Sequence, residues 1–280
     1  MKLIPFGLKK VPALGMGTWY MGEDPDKQSQ EMKALQAGIE RGLTLIDTAE
    51  MYGEGLAEKL VGQAIKPIPR EELTIVTKVY PWNASREKMR NSLEKSLKRL
   101  QTDYVDMYLL RWRGDIPLEE TVEAFEQLKV EGKIRAWGVS NFDVADMEEL
   151  EAITSHCATN QILYNMSSRG TDFDLQPWMR SRNMPIMAYT PLGHGDKMQA
   201  KFTTNPILQE IAVNHSCSIF QLLLAWCIRS GDVIAIPKSG NPEHVKANVK
   251  ALDVQLTEEE LSLIDAIFPQ PKHKVPLEEL

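Results

Sequence analysis

Three side chains early in the chain have the types and spacing for proton transfer: Asp47, Tyr52 and Lys78. Asp47 ends a short apolar run, residues 43–46, that reads as a buried strand. Tyr52 follows five residues later, before the turn signal Gly53-Glu54-Gly55. Lys78 closes a second apolar run, residues 73–77. A lysine at the end of a buried strand needs a carboxylate partner, and Asp47 can supply it. An ammonium held by a carboxylate and set against a phenol stabilises the oxygen left behind when the phenol gives up its proton. A general acid requires that. Taken alone, Asp47 and Lys78 read more readily as a structural ion pair, and Tyr52 as a loop aromatic.

The elements that must position these residues follow a regular alternation. Residues 3–12, punctuated by Gly7 and Pro12, read as a small hairpin. Strand cores then recur at 13–17, 43–47, 73–78, 104–110, 134–139, 159–163, 185–189 and 233–236. Apolar residues at helical spacing fill the gaps: Met32, Leu35 and Ile39; Met89, Leu93, Leu97 and Leu100; Phe125 and Leu128; Met147 and Leu150. Eight strands alternating with helices predict an α/β fold, a (β/α)8 TIM barrel spanning residues 1–280 as one domain, with extra C-terminal helices. A doubly wound open sheet is the alternative. Gly15-Met16-Gly17 resembles the start of a dinucleotide fingerprint, but its third glycine is misplaced, and a tight strand exit explains it as well. The gap between 189 and 233 is the longest. It holds Gly193-His194-Gly195-Asp196, a candidate lid, then helical stretches at 206–213 and 218–228. Thr257-Glu258-Glu259-Glu260 is a capping box opening a last helix. Residues 269–280 read as an arm near the barrel mouth or a frayed end.

Composition narrows the function class. A net charge of -7 argues against a nucleic-acid binder. No apolar run approaches the roughly 18 residues a membrane helix needs, and residues 1–10 lack the apolar core of a signal peptide. Cys157, Cys217 and Cys227 are odd in number, lack CxxC spacing and sit in apolar surroundings, so buried reduced thiols and a cytoplasmic location are expected. The five histidines show no metal-binding spacing, and no metal is expected.

In a barrel of this kind chemistry sits at the C-terminal strand ends. There the sequence places Thr18-Trp19, Asp47 with Tyr52, Lys78 with Trp82, Arg111-Trp112, Ser140-Asn141, Asn160-Gln161, Tyr189-Thr190 and Pro237-Lys238-Ser239. Amides and hydroxyls suit a carboxamide edge; Lys238 and Ser239 suit a phosphate. Taken alone, Ser140-Asn141 reads more readily as a helix N-cap, and Lys238-Ser239 reads also as a cap, since Asn241-Pro242 opens a helix.

Together the motifs Gly17-Thr18-Trp19, Asp47-Thr48-Ala49 with Tyr52-Gly53, Thr77-Lys78, Gly138-Val139-Ser140-Asn141, Asn160-Gln161, Tyr189-Thr190-Pro191-Leu192 and Ile236-Pro237-Lys238-Ser239 resemble the aldo-keto reductases, in order and over nearly the whole chain. The short tail is similar to that of the prokaryotic aldehyde and methylglyoxal reductases. The resemblance implies NADPH-dependent reduction of a small carbonyl substrate by a monomer, with Tyr52 as general acid tuned by Asp47 and Lys78. It implies that Ser140, Asn141 and Gln161 hold the nicotinamide carboxamide and Tyr189 stacks on its ring. Thr190, Pro191 and Leu192 would meet the pyrophosphate, Lys238 and Ser239 the 2′-phosphate, and Asn248 the adenine. Trp19, Trp82 and Trp112 would line the substrate pocket with Tyr52 and Arg111.

Two positions depart from the family pattern. His244 stands where an arginine usually follows the Lys-Ser pair, implying a weaker grip on the 2′-phosphate. Arg111 stands where the family has a histidine that orients the carbonyl. Arginine is longer and permanently charged, which implies reduced turnover. It would also suit an acidic substrate such as a keto acid. A nicotinamide-binding module with little catalysis is the alternative function.

Overall fold

The computed structural model describes residues 3–279. The chain opens with an antiparallel hairpin, β1 (Leu3–Phe6) and β2 (Lys9–Pro12). Eight strands follow: β3 (Met16–Gly17), β4 (Leu45–Asp47), β5 (Thr74–Val79), β6 (Val105–Leu110), β7 (Ile134–Ser140), β8 (Asn160–Leu163), β9 (Ile186–Tyr189) and β10 (Val233–Ala235). Among the described residues these form one sheet in sequence order, each strand parallel to the next. The two ends of the sheet meet. Gly15 N donates to Ala235 O at 2.9 Å and Gly17 N to Pro237 O at 3.1 Å, with parallel bridges Leu14–Ala235 and Gly17–Lys238. The barrel is therefore closed. A Cβ on Gly17 would come within 2.8 Å of Ile236 O, so only glycine permits this seam.

Helices α1 (Gln28–Ile39), α2 (Leu56–Ile65), α3 (Arg86–Leu100), α4 (Leu118–Val130), α5 (Val144–Ile153), α6 (Leu175–Ser181), α7 (Asp196–Thr203), α8 (Pro206–Asn214), α9 (Ile219–Cys227), α10 (Pro242–Val249) and α11 (Glu258–Ile267) complete the described chain. The TIM-barrel reading holds, hairpin and extra C-terminal helices included. Thr257 and Glu260 form the expected capping box. The candidate lid differs: a short helix, α7, follows Gly195. The tail is an arm. Lys274 reaches Asp143 at 2.9 Å and Asp174 at 3.4 Å, and Ser168 Oγ donates to Glu278 at 2.9 Å. Leu280 lies outside the described residues.

Every residue of β5 and of β6 is buried, because each strand has a core on both faces. Leu45, Val76, Met107, Leu109, Ala136, Met187 and Ile234 point inward and pack with Ile4, Phe6 and Val11 of the hairpin. Ile46, Ile75, Tyr108, Trp137, Ile186 and Val233 point outward against the helices. This two-residue period decides where the polar groups go. Asp47 follows Leu45, Lys78 follows Val76, Arg111 follows Leu109, and Tyr189 follows Met187. Each is the next inward position above a filled barrel interior. The hairpin closes the opposite end.

Candidate active site

Lys78 is wholly buried, and its ammonium is the centre of the cluster. Nζ donates to both Asp47 oxygens at 2.8 Å, to Thr48 O at 2.9 Å and to the Tyr52 hydroxyl at 3.1 Å. Asp47 is 2 % exposed and Tyr52 8 %. Tyr52 reaches the cluster from a tight turn, Tyr52–Gly55, in which Gly55 has φ 89° and needs glycine. Asp47 is held a second time by Gln161 Nε2, at 2.7 Å. The sequence therefore placed one real constellation: carboxylate, ammonium and phenol in a single chain of contacts.

The cluster floors a cavity of about 260 Å³. Its walls include Gly17, Thr18, Trp19, Asp47, Tyr52, Arg111, Tyr189, Thr190, Pro191, Leu192, Ile236, Pro237 and Lys238. A larger depression, of about 420 Å³, lies near the hairpin among Pro5, Gly7, Trp178 and Pro185. It holds none of these groups and sits at the end where barrel residues serve stability.

Behind Asp47, which lines the cavity, stands a group of side chains with the makings of an amide-binding site. Gln161 is fully buried, yet its Oε1 accepts no hydrogen bond from the described residues. A buried acceptor left so is costly unless a ligand donor completes it. Ser140 and Asn141 stand beside it at the end of β7, with Asn141 N bonded to Gln161 O at 2.9 Å. Asn141 adopts φ 57°, and its Oδ1 accepts from the Tyr189 hydroxyl at 2.9 Å. Thr190 also has positive φ, 54°. That is a strained conformation for a β-branched residue, and such strain gathers at ligand clamps.

Other expected residues stand farther out. Lys238 is exposed on the cavity wall; Ser239 is half-buried, its Oγ accepting from Asn241 N at 3.2 Å. The cap of α10 is Asn241. His244 is exposed on α10 and Asn248 buried there. Trp82 and Trp112 do not line the cavity. Trp82 is 55 % exposed and stacks on Tyr80 at 4.2 Å, with Trp112 set edge-on to it at 5.9 Å. Burial, then the Glu50 carboxylate, push the Tyr80 phenol up, and the Arg111 charge works against them.

Residues 13–268 match the sequence model of the Aldo/keto reductase family. The chain belongs to that family. Within it, the chain is 50 % identical over 280 residues to methylglyoxal reductase YeaE of Escherichia coli, covering 99 % of this chain and 98 % of the relative. It is 34 % identical to glyoxal reductase of Bacillus subtilis, with 92 % and 89 % covered. An aldo/keto reductase of Klebsiella pneumoniae, solved in complex with NADP and acetate, superposes with a TM-score of 0.96 at 50 % identity, over 100 % of this chain and 99 % of that one.

The aldo-keto reductase cavity also holds residues that the sequence did not single out. Tyr20 stacks on Trp19 at 4.5 Å, and His194 stacks on Trp19 at 5.7 Å; both line the cavity, as does Gln199. His194 lay in the candidate lid, the one available signal. The cysteines need a correction. Cys157 and Cys227 are buried, but Cys217 is partly exposed, because the turn before α9 faces outward. Among the described residues no group of three or more His, Cys, Asp or Glu stands together as a metal site, and no helix is long and apolar enough to cross a membrane.

Proposed function

We propose that this chain reduces small aldehydes and ketones with NADPH, and that Tyr52 is the general acid. The observation that carries the reading is the buried Lys78 ammonium, shared between Asp47 and the Tyr52 hydroxyl on the floor of the cavity. Lys78 stabilises the phenolic oxygen as its proton leaves, and Asp47 offsets the cost of burying the ammonium. Relatives with methylglyoxal and glyoxal reductase activity in their names favour a small carbonyl substrate, as does a cavity of about 260 Å³.

The residues present fit the cofactor. The open acceptor on Gln161, with Ser140 and Asn141 beside it, suits a carboxamide. Tyr189 offers a ring for stacking. Thr190, Pro191, Leu192 and Lys238 line the cavity, and Lys238 with the neighbouring half-buried Ser239 offers charge and hydroxyl to a 2′-phosphate. Solved relatives hold NADP and NADPH. The cofactor supplies hydride to the carbonyl carbon when bound. The chain's own residues hold the carbonyl oxygen within reach of Tyr52, keep water off the floor and deliver the proton.

Arg111 lines the same cavity, which favours a second reading: cofactor binding with little turnover. The deciding assay follows loss of NADPH absorbance with methylglyoxal, for this chain and for Arg111→His. Turnover that rises in Arg111→His supports a reductase slowed by Arg111. No turnover in either protein, with NADPH bound by both, overturns the reductase reading in favour of the binding module.

A further inference from the structure

The backbone of Arg111 is fixed on both sides. Its N–H donates to Val79 O at 3.1 Å, and its carbonyl accepts from Asn141 Nδ2 at 3.2 Å. The side chain therefore starts from a set point at the end of β6 and extends across the cavity. Nη1 lies 3.5 Å from Ser140 Oγ. The guanidinium carbon is 5.7 Å from the centre of the Tyr189 ring and 5.8 Å from that of Trp112. Ser140 and Tyr189 are two of the groups assigned above to the nicotinamide, one to its amide and one to its ring.

Those distances leave too little room. Stacked carbon layers sit about 3.5 Å apart, so a nicotinamide between Tyr189 and the guanidinium needs about 7 Å between them. The observed 5.7 Å falls short. The contact from Nη1 to Ser140 Oγ holds the guanidinium over the Tyr189 ring, where the nicotinamide would stack. We infer that Arg111 stands in the nicotinamide subsite of the cofactor-free chain and that NADPH must displace it to bind. Arg111 thus opposes the binding of an anionic cofactor that its charge would otherwise attract. The contacts with Ser140 and Tyr189 are together worth about three- to tenfold in an equilibrium constant.

This inference rests on the cofactor reading above, and two ligands separate the two claims. NADPH and 2′-phospho-ADP-ribose, which lacks the nicotinamide, are titrated by tryptophan fluorescence against the chain, Arg111→Ala and Arg111→Met. Methionine keeps most of the length and serves if alanine destabilises the fold; affinity for the nicotinamide-free ligand shows that each variant is folded. NADPH is expected to bind both variants about three- to tenfold more tightly, with 2′-phospho-ADP-ribose unchanged. NADPH affinity that stays level or falls overturns the inference, since simple attraction would then describe Arg111. Equal tightening of both ligands overturns it too, because the effect would not be at the nicotinamide. Failure of NADPH to bind the chain and both variants overturns the cofactor reading, and this inference with it.

Discussion

Replacing Lys78 by methionine tests how the buried charge is held. The ammonium has no exposure and four acceptors within 3.1 Å: two oxygens of Asp47, Thr48 O and the Tyr52 hydroxyl. Lys78→Met fills similar volume but strips Asp47 of its counter-ion. The carboxylate keeps one amide donor, Gln161 Nε2 at 2.7 Å, in a site where it is 2 % exposed. Removing one partner of a buried pair costs about 3–5 kcal/mol, while removing both is often nearly neutral. Lys78→Met should therefore lower unfolding free energy by about 3–5 kcal/mol. Asp47→Asn combined with Lys78→Met should recover most of that loss. Urea unfolding of the two variants and the parent measures both numbers. A single variant within about 1 kcal/mol of the parent, or a double variant no better than the single, would refute the electrostatic reasoning.

Three further outcomes follow from other parts of the molecule. Lys238→Ala should weaken NADPH tenfold or more, about the worth of one charge-assisted bond, and leave NADH nearly unchanged; equal effects on both cofactors in a fluorescence titration would remove Lys238 from the 2′-phosphate. The Glu131 carboxyl is held at about 2, against an ordinary 4.5, by bonds from Arg90 and then Gln127. A depressed acid favours the folded chain above its unfolded value, so the stability gap between the parent and Glu131→Gln should be level above about pH 5 and close as pH falls towards 2; a gap that grows in acid would contradict the assignment. Burial pushes the Cys157 and Cys227 thiols up to about 12, so a disulfide reagent near neutral pH should modify only Cys217 in the folded chain, and Cys217→Ser should abolish that reaction.

The barrel was legible because its strands are buried on both faces. Such strands read as apolar runs, and the observed bounds of β5 and β6 fall within a residue or two of those expected. Asp47 and Lys78 were legible for the same reason, since each stands at a strand end where the strand period fixes its inward direction; Tyr52 was legible only from its closeness in sequence to Asp47. Loop residues were harder. Trp82 and Trp112 follow strand ends, but nothing in their spacing says which way a loop side chain turns; Trp82 stacks on Tyr80 and Trp112 meets it edge-on, both outside the cavity. Tyr20 and Gln199 reach the cavity from segments with no such period. The identity of Arg111 was evident from sequence; its reach towards Ser140 and Tyr189 depends on a long side chain's path, which spacing does not encode. The unpartnered Gln161 Oε1 is likewise a property of the packed structure.

The most direct test of the proton-transfer reading is Tyr52→Phe. The phenyl ring keeps the packing of a residue that is 8 % exposed and removes only the hydroxyl that meets Lys78. General acid catalysis contributes about 10²–10⁴-fold. With methylglyoxal and saturating NADPH, kcat should therefore fall at least a hundredfold, while the Kd for NADPH stays within about twofold. A phenylalanine variant that keeps a tenth or more of the parent's kcat would contradict the assignment of Tyr52 as the acid.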